Sequence, residues 1–536
     1  MTDRQPPVLT QVLAKYLPEP SDRIRSTSRA IIDRTTISVH SYESIPIADW
    51  FWHSGDHSAR SWRFSLHSFA PLDALMACGE WTETQALVRE WADAFGTPDL
   101  EDLGDFPWHD HATALRLDRL SVLRLLSKTP KFTDLAARHA DVLMQEAFYS
   151  KHTNHGYDQA LALLLASYAF KADIDTSAWT EMGLSRLIDE LKFAFTPDGV
   201  HVENSPAYHV GMTANLVRAR LVKALAGVET EFDFDTLLND ALAFTAWIIG
   251  PDRRLAMLGD STERSGLPPT ELSSFPNYAH ALYAASGGTS GAPLEGTSKI
   301  FDHAGYAVYR SRWSPWNDHV HLTMKSGFLS RYHRQDDDLT VLLQGFGEHW
   351  LIDSGLYNHN QMDPVRIYMR SELAHNVPHI RGCPVSRTLP EPDAAPTLTM
   401  ERPDDGSVVF RGTTNAYRNT AVTRTVVIES AETFQIVDTV RSQNPEAQTL
   451  FQFHVPANKT VRATTKMARI VGRTKELIIR VAAGEVGDAR VFSGLDGPFK
   501  SAYSPRHNAL EPTQVIVFGP LKGNRIRFRA NFQDLS

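Results

Sequence analysis

Four short segments of this chain gather side chains that can move protons, bind carboxylates or hold a metal. The first is Trp108-His109-Asp110-His111, leading to Arg116 on the following helix. An indole face, imidazoles, an acid and a guanidinium suit a sugar subsite, so Trp108, His109, Asp110 and Arg116 are candidate substrate contacts. The plainer account of Asp110 is a helix cap. The second is Asn154-His155, before a helix expected to start near Asp158, and by itself it also reads as a cap.

The third segment runs from Pro197-Asp198-Gly199 to Ser205-Pro206-Ala207-Tyr208-His209. Ser205 is placed to cap a helix whose first residue is Pro206. Tyr208 and His209 then fall in the first turn, where unpaired N–H groups favour an anion, either a substrate carboxylate or a tyrosinate. A buried tyrosine with a bonded hydroxyl is the alternative. The fourth segment is Ser330-Arg331-Tyr332-His333-Arg334-Gln335-Asp336-Asp337-Asp338-Leu339-Thr340, followed by Leu351-Ile352-Asp353-Ser354-Gly355 and Ala374-His375-Asn376. Such a charge run is usually a solvated turn. Flanked by apolar strands and a glycine return, it also reads as a site on a sheet face. A set of His and Asp could hold a metal, although the spacing alone is a weak signal.

The elements that must position these residues change character along the chain. Leu117, Leu120, Leu123 and Leu126, then Leu161, Leu164, Leu165 and Tyr168, then Leu216, Val217, Leu221 and Leu225, keep a helical period. Ser286-Gly287-Gly288-Thr289-Ser290-Gly291-Ala292-Pro293 reads as a linker. Beyond it the period becomes two, as in Val320, Leu322 and Met324, and short runs such as Val408–Phe410 and Val515–Phe518 lie between turn residues. Helices first and antiparallel strands later make an α+β multidomain chain, with a helical domain over 1–290 and a β domain over 297–536.

The 536 residues are too many for one ordinary core. A net charge of -9 argues against nucleic acid as a partner, and no apolar run is long enough to span a bilayer. Two cysteines far apart, Cys78 and Cys383, build neither a disulfide framework nor a cysteine zinc site. The N-terminus carries no basic stretch followed by an apolar run, so a cytoplasmic location is expected, with a periplasmic one left open.

Taken in order, the segments resemble the heparinase II/III-like polysaccharide lyases and the related oligoalginate lyases. The family fingerprint is similar to His-x-His-x-Asp-x-Leu-Ser/Thr, Leu-x-Asp-Ser-Gly and Ala-His-Asn. Here it reads His333 to Thr340, Leu351 to Gly355 and Ala374 to Asn376. The resemblance implies an N-terminal (α/α) toroid, a C-terminal antiparallel β-sandwich and an active site in the groove between them. It also implies an anionic uronate polysaccharide or oligosaccharide as substrate. Asn154 and His155 would contact the uronate carboxylate, Tyr208 would be the catalytic tyrosine and His333 the catalytic histidine. Zinc in the family is held at positions matching Gln335, Asp353 and His375. Gln is a poor zinc ligand, so either a harder ion binds weakly through oxygens or hydrogen bonds among these three replace the metal. No cofactor is needed for the chemistry itself.

β-Elimination removes the uronate C5 proton and expels the C4 oxygen, so the carboxylate must be neutralised and an acid and a base supplied. Cationic neighbours such as His209, His333, Arg331 or Arg334 would lower the tyrosine pKa. Tyr357 and Tyr368 are candidates for a second tyrosine. A glycoside hydrolase using Glu203 and Asp337, or a glycan-binding protein with a decayed site, are the competing readings.

Overall fold

The computed structural model describes residues 7–38, 44–54, 60–98, 106–127, 132–388, 390–391 and 394–535. Residues 1–6, read above for a leader, lie outside the described residues. Among the described ones, no helix is long and apolar enough to cross a membrane. The chain forms two compact units, Met1–Ala194 with Asn215–Phe234, and Phe195–Ala214 with Asp235–Ser536. The compact units therefore do not part at the Gly-rich stretch near 290. Phe244, Trp247 and Ile248 of one helix share a core with Phe301, Tyr306 and Val308 of the strands, which ties that helix to the sheets.

The first unit is helical. Its helix Asn154–Phe170 is buried nearly all round, as expected of a helix that is apolar on every face. Leu161, Leu163, Leu164 and Leu165 are each at most 1% exposed, and burying each contributes about 1.5–3 kcal/mol. Its neighbours are Asp110–Ser127 and Ser177–Ala194. Gly183 permits the second approach, because a Cβ there would lie 2.9 Å from the Leu164 backbone nitrogen. Thr153 caps the helix, its hydroxyl accepting from Gly156 N at 3.2 Å. The cap expected of Asn154 thus belongs to the residue before it, and the helix starts earlier than Asp158.

The second unit holds the larger sheets. Eight antiparallel strands run in the order Thr460–Thr464, Met467–Val471, Lys475–Val486, Leu521–Asp534, Thr433–Ser442, Thr420–Ile428, Val408–Thr414 and Thr397–Glu401. A five-stranded antiparallel sheet spans Ser298–Phe301, Tyr306–Arg310, Val320–Lys325, Thr340–Gly345 and Glu348–Leu351. A four-stranded sheet contains Gln448–Val455 and Gln514–Phe518. Strand Thr420–Ile428 buries alternate residues, the mark of a strand with one face on the core. Val422, Phe410, Met324, Leu343, Phe453 and Phe528 meet in one apolar cluster fed by these three larger sheets. The loop between Val320–Lys325 and Thr340–Gly345 carries the charge run. It is not a solvated turn: Arg334, Gln335, Asp336, Asp337 and Asp338 are all buried. Lys325 meets Asp337 at 2.5 Å, and Arg334 meets Asp338 at 2.8 Å.

Candidate active site

In the second unit, Ser205 and Pro206 open the helix Pro206–Ala226 as expected. Ser205 Oγ lies 3.5 Å from Tyr208 N, which donates to it, and it also reaches Asp260 O at 3.1 Å and Ser261 Oγ at 2.9 Å. The half-buried Tyr208 ring stacks on His333, with centroids 3.7 Å apart and planes at 20°. Its hydroxyl is 3.5 Å from His359 Nε2. His333 sits at φ 54 in the left-handed region. Its Nδ1 is 3.1 Å from Asp260 Oδ2, and its Nε2 is 3.4 Å from Glu203 Oε2.

Asp260 is 2% exposed and fully engaged. Arg366 Nη2 donates to Oδ2 at 2.6 Å and Gln335 Nε2 donates to Oδ1 at 2.9 Å. Burial alone would raise its pKa. The hydrogen bonds from His333, Arg366 and Gln335 and the guanidinium charge overcome that and hold it below the usual carboxylate range. Glu203 is likewise held low against burial by His201 and His333. Tyr208 goes the other way. Burial first, then the charges of Asp260 and Glu203, push it up to about 12, with Arg366 pulling back only in part. It is a phenol at neutral pH, not a tyrosinate.

In the first unit, Asp110 is a hub and not merely a cap. One oxygen accepts from His155 Nδ1 at 2.9 Å and from the Ser150 hydroxyl. The other lies 2.9 Å from His109 Nδ1. These bonds hold its pKa well below the ordinary value, although burial opposes them. With Nδ1 tied to Asp110, His155 offers Nε2. Its ring stacks on His111 at 4.2 Å, and His111 Nε2 is 2.8 Å from Asp158. His109, His111 and His155 line a cavity of about 420 Å³ with Arg60, Phe64 and Phe106. Asn154 is exposed beside them in the helix's first turn.

Other sequence expectations change in the folded chain. Arg116 is a core residue and not a substrate contact. It is 0% exposed, donates to His139 Nε2 at 2.7 Å and to His67 O at 2.6 Å, and stacks 4.1 Å from the Trp91 centroid. Trp108 is buried, with its indole N–H on Phe95 O at 2.7 Å. His209 is fully buried and burial lowers its pKa to about 3, so it is not the expected cation beside Tyr208. Arg334 is spent on Asp336 and Asp338. Tyr357 is half-buried at φ 63, its carbonyl accepting from Asn508 N at 2.8 Å, while Tyr368 donates to Lys500 O from the interior. Asp337, a carboxylate of the hydrolase alternative, is 0% exposed and paired with Lys325.

The expected metal ligands do not form the anticipated trio. His375 Nδ1 is 2.8 Å from Asp353 Oδ1, which also accepts from Ser354 N, and Asp353 Oδ2 accepts from Thr340. Gln335 turns its amide nitrogen instead to Asp260 and to Gly355 O, at 3.1 Å. Buried His375 Nε2 and Gln335 Oε1 have no partner. One imidazole nitrogen, one amide oxygen and a carboxylate already accepting three hydrogen bonds are a poor set for zinc, which prefers nitrogen and sulfur donors. The residues present do not fit the family's zinc.

Asp260, Arg366 and His359 escaped the sequence reading. Only the Gly259-Asp260-Ser261 turn and the Asp363-Pro364 helix start hint at ordered loops there. Nothing local says that their side chains turn toward His333.

Residues 48–281 match the family pattern described as Heparinase II/III N-terminus, and residues 294–528 match Heparinase II/III-like, C-terminal. The Ser286–Pro293 stretch lies between the two matches. A heparin-sulfate lyase of Bacteroides stercoris is 25% identical over 62% of this chain and 51% of its own length. One from Bacteroides thetaiotaomicron is 26% identical over 69% of this chain and 57% of its own. The chain thus spans about half the length of the curated relatives it matches. The crystal structure of heparan sulfate lyase HepC from Pedobacter heparinus superposes with a TM-score of 0.74 at 19% identity, covering 99% of this chain and 86% of that one.

Proposed function

We propose, from the premise that this chain belongs to the heparinase II/III-like family, that it is a polysaccharide lyase. It cleaves a uronate-containing glycan by β-elimination and leaves a 4,5-unsaturated uronate end. The relatives named for heparin sulfate make heparan-type chains the first substrates to try. On the same basis the helical unit is read as an (α/α) toroid and the stacked sheets as a β-sandwich.

The observation that carries the reading is the Tyr208–His333 pair, stacked at 3.7 Å with His333 tied to Asp260. Tyr208, pushed up to about 12, keeps its proton and serves as the acid. His333, with Nδ1 donating to Asp260, presents Nε2, which lies beside Glu203, as the base. The balance is simple. Nε2 takes the C5 proton, the C5–H electron pair forms the C4=C5 bond, the C4–O bond breaks, and the Tyr208 proton goes to the leaving oxygen. The uronate carboxylate must be neutralised for C5 to become acidic, the role that the family resemblance assigns to Asn154 and His155.

The test is a panel of uronate polymers and oligomers followed by ultraviolet absorbance of the unsaturated end. Tyr208→Phe should lower kcat by roughly 10²- to 10⁴-fold with binding retained. New reducing ends without absorbance would mean hydrolysis. Binding without turnover by the parent protein would mean a decayed site.

A further inference from the structure

We propose that Gln335 is a positioning residue for His333, acting through Asp260, in the place where the resembled family puts a metal ligand. The proposal rests on the lyase reading of the site.

Gln335 is 0% exposed, and its amide nitrogen is doubly committed, to Asp260 Oδ1 at 2.9 Å and Gly355 O at 3.1 Å. The second bond anchors the amide to the backbone of the glycine return, so the first holds Asp260 in a defined rotamer. Asp260 Oδ2 then serves His333 Nδ1 at 3.1 Å and Arg366 Nη2 at 2.6 Å. Arg366 is in turn anchored to Leu356 O at 3.0 Å. Each carboxylate oxygen thus has its own fixed donor, and the carboxylate cannot rotate without breaking a buried bond.

The imidazole needs this constraint. His333 occupies φ 54, a strained conformation that an L-residue keeps only where its surroundings enforce it. Asp260 N donates to His333 O at 3.3 Å, and Gly259 at φ +56 lets the two backbones approach. A Cβ at Gly259 would sit 3.2 Å from His333 O and 2.2 Å from Asn204 O. Ring orientation is set by the Nδ1 bond on one edge, Glu203 3.4 Å from Nε2 on the other, and the Tyr208 and His359 rings packed against it. Without the Gln335 donor, Asp260 Oδ1 is a buried acceptor with no partner, and the carboxylate gains by rotating toward Arg366. That rotation carries the His333 acceptor with it.

The experiment compares the parent chain with Gln335→Leu, Asp260→Asn and the double variant. A displacement of the base by about 1 Å costs on the order of 10²-fold. Each single variant should therefore lower kcat by roughly 10- to 100-fold, with KM within about twofold. The double variant should be no worse than the worse single one, since both break one linkage. Gln335→Met serves if the Leu variant does not fold, being closer in shape. A Gln335 variant with parental kcat, or losses that multiply, would overturn the proposal. A second readout needs no turnover: the NMR signal of the His333 Nδ1 proton, assigned by its loss in His333→Gln. It should be sharp in the parent and broadened or lost in Gln335→Leu. An unchanged signal refutes the positioning role even if the parent proves to have no lyase activity. An inactive parent whose signal responds to Gln335→Leu refutes the lyase reading alone.

Discussion

Acidification should weaken the second unit through His209, one residue beyond Tyr208. His209 is fully buried, and both ring nitrogens are used in the neutral form. Nδ1 accepts from His201 N at 3.2 Å, and Nε2–H donates to Ala241 O at 3.0 Å. A second ring proton would point Nδ1–H at the His201 N–H. Burial first, with the nearby His201 adding to it, lowers the pKa from 6.5 to about 3. The unfolded chain therefore binds a proton here that the folded chain refuses, and stability rises with pH across this window. The contribution is whole above pH 6.5 and is lost as pH falls from 6.5 to about 3. At about 1.36 kcal/mol per unit, the full loss is about 5 kcal/mol, and between pH 7 and pH 5 it is about 2 kcal/mol. Urea unfolding at both pH values measures it. His209→Gln keeps one acceptor and one donor but cannot titrate. The variant should lose about 2 kcal/mol less than the parent between pH 7 and pH 5. Identical losses in the two proteins would refute the argument.

Two further outcomes follow from the same geometry. Arg116→Met should destabilise the helical unit by roughly 2–4 kcal/mol, because His139 and the His67 and Pro107 carbonyls lose a shared buried donor. KM of the folded fraction should not change, and a raised KM at parental melting temperature would return Arg116 to the substrate. Asp110→Asn should lower kcat/KM by roughly 10- to 100-fold on the best uronate substrate. It removes the carboxylate that orients His155 Nδ1, and such a charge-assisted bond contributes about 1.5–3 kcal/mol. Steady-state kinetics beside a thermal melt separate that loss from unfolding.

The elements were legible because their signals are local. The spacing of Leu161, Leu164 and Leu165 places them on a helix whatever the rest of the chain does, and Ser205-Pro206 opens a helix by its own geometry. The alternation of Val320, Leu322 and Met324 reads as a strand for the same reason. Tyr208 and His333 could be named because their segments carry ordered motifs. What those side chains face was decided only by tertiary structure. Asp260 is 73 residues from His333 and 106 from Arg366 in sequence, and no pattern connects them. Burial, which reverses the sign of an electrostatic argument, is equally invisible in a list of residues. It made His209 neutral where a cation was expected, kept the proton on Tyr208, and turned Arg116 from a ligand contact into core. The direction of Gln335 belongs to the same class. Composition says only that it is a poor metal ligand. The packed loop aims its nitrogen at Asp260, because a buried carboxylate oxygen must find a donor and this amide is the one within reach.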